Sequence, residues 1–335
     1  MGKYIDTEKL TEHYRMKGIS LETKEILITN FFNTEQSKDF TLPSNCEGFG
    51  RIHHFKRHTK NNFPLNSLPI DPAINFLKIP MCDMIKVQVF QNAVCSWRCW
   101  YCFVDYKLLS GNKSYSEFKT VDQLVDLYLN EKERSLIIDL SGGQPDLFPE
   151  WSLWFADTLF KRGLSEQIYL WSDDNLSNDF LWSCLTKEEN NRLASYKNYG
   201  RVGCFKGFDN YSFSFNTGAA PHLFDTQFHV MKKLVISGFD IYGYITLTSD
   251  KDEGIEEKIS DFLDRIQHEI HEIFPLRIIP LPIIRFTPTD GRITNSHERA
   301  LAIQDIAVEI WKEELSKRFS VAQIQKKIFE HRLTL

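Results

Sequence analysis

Cys95, Cys99 and Cys102 lie in the stretch V-C-S-W-R-C-W-Y-C-F, spaced C-x3-C-x2-C. Thiolates this close can hold three corners of one metal centre. In a cubane 4Fe–4S cluster that leaves one iron without a protein ligand, free to bind another group. A structural zinc site instead closes a tetrahedral shell with a fourth ligand. His53, His54 or Cys82 could supply one, although none has finger spacing relative to the three. Unliganded buried thiols are the remaining reading of the same residues.

Further polar groups recur at the ends of apolar runs. Ser141-Gly142-Gly143-Gln144-Pro145 is a glycine turn, where the missing Cβ lets the backbone approach a ligand closely. Ser172, Asp173, Asp174 and Asn175 form a second cluster, and Ser214 and Asn216 a third. Such side chains supply donors and acceptors for hydroxyl groups, and equally serve as caps and turn formers.

These groups need elements that bring them together. An apolar run at 85–90 leads into the cysteines, and 136–140 leads into the glycine turn. Residues 167–171 end in S-D-D-N, 211–215 alternate strictly before Asn216-Thr217-Gly218, and 241–248 and 276–286 complete six predicted strands. Helical patterns separate them. Thr120 and Gln123 form a capping box ahead of Val121, Leu124, Val125, Tyr128 and Leu129. Helices are also predicted over 151–162, over 226–237 with Asp225 as cap, and along Ile255, Ile259, Phe262, Leu263, Ile266 and Ile270. Alternating strands and helices predict a parallel sheet, either doubly wound or a partial barrel. In both, the carboxyl ends of the strands carry the site.

The stretch C-S-W-R-C-W-Y-C, with Tyr101 before the third cysteine, resembles the signature of the radical S-adenosylmethionine (radical SAM) superfamily. S-G-G-Q-P is similar to that family's G-G-E-P turn, with Gln144 where glutamate is usual. S-F-N-T-G resembles its S-L-D-G, with Asn216 at the aspartate's place. The resemblance implies an α/β fold, a six-stranded partial (β/α) TIM-like barrel over 84–290. Residues 1–83 would be an N-terminal extension over it and 291–335 a C-terminal helical extension.

The resemblance further implies a 4Fe–4S cluster on Cys95, Cys99 and Cys102, with SAM chelating the open iron. An electron, from a reductant protein such as flavodoxin or ferredoxin, would cleave SAM to a 5′-deoxyadenosyl radical that abstracts hydrogen from a substrate. Gly142, Gly143 and Gln144 are expected at the SAM amine. Ser172, Asp173, Ser214 and Asn216 are expected at the ribose, and Tyr101 and Thr246 beside the adenine. Trp97, Trp100 and Phe103 would shield the cluster. No residue acting on the substrate is assigned. The substrate could be a peptide or protein, a nucleotide or a small metabolite. The reading from another class is a non-enzymatic zinc or iron–sulfur binding or sensor protein.

The whole chain sets bounds. It has 335 residues, 42% hydrophobic and 25% charged, with a net charge of -5 that gives no global attraction for nucleic acid or an anionic membrane. Seven cysteines, an odd number with three clustered, argue against a secreted disulfide scaffold. No apolar run is long enough to cross a membrane. The start M-G-K-Y-I-D-T-E-K-L lacks a signal peptide's apolar core, so a cytoplasmic location is expected. In the extension, Asp6 or Thr7 can cap a short helix, and 21–32 has mixed periodicity. The run R-I-H-H-F-K-R-H-T-K reads as a solvated face or flap, or as an anion site. Pro64, Pro69, Pro72 and Pro80 predict an irregular segment. Asn295 and Glu298 suggest a cap for a last helix.

Overall fold

Asp6 opens the first helix, its Oδ1 accepting the Lys9 N–H at 3.0 Å, and α1 runs Thr7–Gly18. The computed structural model describes residues 4–334; Met1, Gly2 and Lys3 of the N-terminal stretch read above, and Leu335, lie outside these. A hairpin follows, β1 (Ile19–Ser20) against β2 (Glu25–Thr29). The mixed periodicity here has a cause: Ile26, Leu27, Ile28 and Thr29 are all buried, so no alternation marks the strand. The basic run is mostly a strand, β3 (Gly50–Lys56), and not a solvated flap. The proline-rich segment holds a helix, α2 (Ile70–Leu77), where irregular chain was expected.

The main sheet then builds up. Its first strand is β4 (Met84–Phe90). Beyond the cysteines come β5 (Ser116–Thr120), which pairs with β2, and α3 (Val121–Asn130) behind the predicted Thr120 capping box. Then follow β6 (Ile137–Leu140), α4 (Pro149–Lys161), β7 (Tyr169–Asp174), α5 (Phe180–Ser183), α6 (Lys187–Ser195) and β8 (Tyr199–Phe205). The remainder is α7 (Asn210–Thr217), α8 (Phe224–Ile236), β9 (Ile241–Ile245), α9 (Ile255–Arg265), β10 (Ile278–Pro280), α10 (Asn295–Arg318) and α11 (Val321–Ile324). Asp225 lies inside the first turn of α8 and does not cap it, and Thr294 with His297 caps α10 in place of Asn295.

The sheet order is β10-β9-β8-β7-β6-β4-β3, a curled seven-stranded half-barrel in place of the six strands expected. The pairs from β4 to β10 are parallel, and β3 adds to the edge antiparallel to β4. One prediction fails outright: 211–215 is not a strand but most of α7. The residues Tyr211, Phe213 and Phe215 alternate with serines, yet Asp209 caps the segment, its Oδ1 accepting Ser212 N–H at 2.7 Å. The strand in that position is β8, obscured in the sequence by Gly200, Arg201 and Gly203. Gly200 is needed for space, because a Cβ there would lie 2.2 Å from the Tyr169 hydroxyl.

Each face of the sheet carries its own apolar layer. Ile138, Leu140, Leu170, Phe205, Ile241 and Ile245 pack on one side with residues of α4, α8 and α9. On the inner side Val87, Val89, Ile137, Tyr169, Trp171, Val202, Tyr242 and Tyr244 meet Leu68, Ile70, Ala73 and Ile74. Thus α2 fills the hollow of the curl. Asp174 and Arg201 pair within the sheet, Arg201 Nε donating to Asp174 Oδ2 at 3.0 Å, with both side chains 3% exposed. Asp174→Ala would leave that guanidinium buried and unpaired. It is expected to lower unfolding stability by about 3–5 kcal/mol, and Asp174→Leu with Arg201→Met by clearly less, read from urea midpoints.

Candidate functional site

The cysteine loop leaves the carboxyl end of β4 and has no regular structure, so its polar backbone must be satisfied from outside. Cys95 N–H donates to Leu109 O at 3.1 Å, Arg98 N–H to Thr217 O at 3.1 Å and Trp100 N–H to Asn216 O at 3.3 Å. Arg98 turns its guanidinium back onto Cys95 O and Trp97 O, and reaches the Tyr14 hydroxyl of α1 at 3.0 Å. The Tyr106 hydroxyl lies 2.9 Å from Arg98 O and 2.8 Å from Cys99 O. Arg292 donates to Cys102 O and Val104 O, both at 2.8 Å. The loop is therefore fixed by α1, α7 and the segment ahead of α10.

Cys95 is buried, Cys99 and Cys102 are half-buried, and none is in a disulfide. Burial pushes all three thiols up, Cys99 to about 11. Cys99 and Cys102 add to the rise at Cys95, so charge on any one is felt by the others. Lys206 acts the other way on Cys99, as do Arg292, Lys206 and Arg98 on Cys102. Among the described residues no three His, Cys, Asp or Glu side chains converge on one metal-ion position. A cubane does not ask for that, because its thiolates bind different irons. The donor set fits a cluster: three neighbouring thiols on a fixed loop, walled by Trp97 and Trp100, with cations beside them to offset thiolate charge. Two of the alternative zinc donors lie elsewhere, and His53 lies deeper on the inner face of β3. His54 meets Thr41 at 2.8 Å, and Cys82 precedes β4 at the opposite rim.

The glycine turn after β6 locks this loop. A Cβ on Gly143 would lie 2.2 Å from Asn92 O, and both Gly142 and Gly143 have positive φ, so glycine is required. Gln144 is fully buried. Its Oε1 accepts both the N–H and the hydroxyl of Ser96 at 2.8 Å, while its Nε2 donates to Ser177 Oγ at 2.7 Å and to Asp146 Oδ2 at 3.3 Å. Burial, then the charge of Asp174, push Asp146 up to about 6. An amide suits this position because it accepts on one side and donates toward a carboxylate on the other. A glutamate would set two carboxyl groups against each other.

The other predicted residues divide. Tyr101 and Thr246 meet, hydroxyl to hydroxyl, at 3.4 Å. Asp173 faces the inner hollow with Lys206, whose charge is felt by Asp173, Cys99 and Tyr101 together. Ser172 points to the other face and bonds the Tyr199 hydroxyl at 2.7 Å. Ser214 and Asn216 are on α7, not at a strand end. The Ser214 Oγ is sealed in with no partner. Asn216 is fully committed: Oδ1 accepts from Trp100 Nε1 at 3.1 Å and Thr248 Oγ1 at 2.8 Å, and Nδ2 donates to Lys206 O and Thr248 O. It ties the cysteine loop to α7, with no hydrogen-bonding capacity left for a ribose.

Two residues at this mouth were missed in the sequence, Asp139 and Lys206, and Arg51 was read only within the basic run. The available signal was a charge inside or just after a buried strand, as in I-I-D-L and G-C-F-K. A surface groove of about 870 Å³ is lined by Ile79, Cys82, Lys86 and Leu136 at the amino ends of β4 and β6, opposite the cysteine loop.

No protein-family model matches the chain, and no curated protein matches it. Streptococcus suis SuiB bound to precursor peptide SuiA aligns at 18% identity over 55% of this chain and 37% of that one, with a TM-score of 0.37. SuiB bound to S-adenosylmethionine aligns at 18% identity over 55% and 38% of the two chains, with the same TM-score of 0.37. The chain thus spans well under half of SuiB, and a likeness this slight carries no argument about the site.

Two measurements test this geometry. Gln144→Glu is expected to lose about 1–3 kcal/mol of stability at pH 8. The loss should be smaller at pH 5, where Asp146 holds its proton and can donate; denaturant titrations at the two pH values check it. Burial raises Asp173 to about 7, against the opposing charges of Lys206 and Arg51. A folded value above the unfolded one means the folded chain holds the proton more tightly. That stability is full below the ordinary carboxylate range and is lost as pH rises through about 7. Asp173→Asn should therefore flatten the fall in melting temperature between about pH 4 and pH 7.

Proposed function

We propose that this chain is a radical SAM enzyme. The observation that carries the reading is the C-x3-C-x2-C loop at the carboxyl end of the first parallel strand, its three thiols neighbouring one another beside Lys206, Arg98 and Arg292. Cys95, Cys99 and Cys102 would hold a 4Fe–4S cluster. Bound there with SAM, that cluster supplies reductive cleavage of the SAM carbon–sulfur bond and a 5′-deoxyadenosyl radical able to take hydrogen from a substrate.

The chain's own residues have three tasks in this reading. The backbone of Gly142 and Gly143, whose Cβ side packs on Gln91 and Asn92, would meet the SAM amine with its remaining polar groups. Of Tyr101, Thr246 and Asp173 on the inner side of the mouth, Asp173 would be the group to bind the nucleoside, with the Tyr101–Thr246 hydroxyl pair beside it. Trp97 and Trp100 are buried beside the cysteines, and water exclusion there protects a radical from side reactions. Flavodoxin or ferredoxin is the class of reductant proposed. The seven free cysteines suit a reducing compartment, and among the described residues no helix is long and apolar enough to cross a membrane.

After anaerobic reconstitution with iron and sulfide, SAM and dithionite are expected to yield 5′-deoxyadenosine. Cys95→Ala, Cys99→Ala and Cys102→Ala should each reduce that yield to background and lose cluster absorbance. Turnover in any single variant removes that cysteine from the ligand set. A wild type that binds stoichiometric metal but releases no 5′-deoxyadenosine would make the chain a metal-binding or sensor protein instead.

A further inference from the structure

Arg51 is 6% exposed, yet among the described residues no group accepts a hydrogen bond or forms an ion pair with its guanidinium, and its Nε is sealed in without a partner. The guanidinium carbon sits 5.5 Å from the Phe40 ring centre and 5.2 Å from that of Phe103. Two rings hold a cation in place by their faces but satisfy none of its N–H donors. A buried charge left this way is strongly unfavourable unless something completes it.

Register shows what shares its surroundings. Arg51 of β3 stands opposite Val89 of β4, which stands opposite Asp139 of β6, so all three project from the inner face. Asp139 is fully buried; its Oδ2 accepts the Ser141 hydroxyl at 2.7 Å, and its Oδ1 has no partner. Asp173 and Lys206 complete the ring of charges, and His53 lies deeper along β3. The site thus holds two orphaned polar atoms, a donor and an oxygen, on side chains more than nine-tenths buried.

We propose that Arg51 and Asp139 form the floor of the substrate site and take an anionic oxo group of the substrate, a carboxylate or a phosphate. This rests on reading the barrel mouth as the place of reaction. A guanidinium fork binds either group through paired N–H donors. Burial, then the charge of Asp173, raise Asp139 well above the ordinary carboxylate range, which favours the neutral carboxyl, a form able to donate toward an anion. Burial and the neighbouring cations Arg51, His54 and Lys56 hold His53 down at about 3, so it adds no charge. With Asp139 neutral, Arg51 and Lys206 face the single carboxyl of Asp173, itself pushed up to about 7, and this balance favours an anionic guest. Arg51 comes from the strand added outside the parallel set, so this recognition is a feature of the extension.

The test needs neither cluster nor SAM, so its failure and a failure of the radical SAM reading are separable. The full-length chain is melted at pH 7 in chloride, acetate or inorganic phosphate at equal ionic strength. The quantity read is the difference between wild type and Arg51→Met, which removes general salt effects. Wild type is expected to gain several degrees, saturably, with acetate or with phosphate, and Arg51→Met to lose that gain. In chloride alone Arg51→Met should melt at or above wild type, because it removes an uncompensated buried charge. Arg51→Lys, with charge but no fork, should keep a weakened response. A gain with acetate alone assigns a carboxylate substrate, and a gain with phosphate alone a phosphorylated one. No gain with either anion overturns the proposal. So does an Arg51→Met chain that melts well below wild type in chloride or fails to fold, since Arg51 would then be structural. A reconstituted Arg51→Met chain that loses SAM affinity overturns the assignment to substrate, because the anion would be SAM's own carboxylate.

Discussion

The side-chain amide of Gln144 is the joint on which the mouth of this barrel depends. One oxygen accepts two hydrogen bonds from Ser96, between the first two cysteines, while the nitrogen donates to Ser177, beyond β7, and to Asp146, two residues along the glycine turn. Ser96 in turn accepts from Thr11 of α1 at 3.0 Å. The extension, the cysteine loop, the glycine turn and the segment after β7 therefore meet through a single buried group. Such a network is stable only when every member is satisfied, which an amide achieves here and a carboxylate beside Asp146 would not.

The sequence reading was good where chemistry and periodicity agree and poor where burial erases the pattern. The cysteines, the Thr120 capping box and the stripe from Ile255 were legible because each rests on local spacing. Strand β8 was not, because buried strands do not alternate, and Gly200 makes room for Tyr169 and Trp171 of the neighbouring strand while Gly203 makes room for Met231 and Leu176. The serines between Tyr211, Phe213 and Phe215 supplied a false alternation, and a cap three residues ahead of Ser212 decided for helix.

The same divide runs through the site. Asn216 matched a motif by position, but its role comes from what surrounds it in space: Trp100, Thr248 and the carbonyl of Lys206 use all of its capacity. Arg51 was seen only as part of a basic run, because nothing local distinguishes a cation on the inner face of an edge strand from one in solvent. Its meaning appears only once β3 is paired with β4 and the curl encloses it. Long-range register, not composition, turns that run into part of the buried inner face.

Helix α2 carries a consequence of its own. Leu68, Ile70 and Ala73 are wholly shielded, pressed against the lower half of the inner sheet face. The hollow is therefore a blind cup and not a conduit. A guest held on the inner face would therefore seat above α2, on the side of the cysteine loop, its depth set by the shape of that helix.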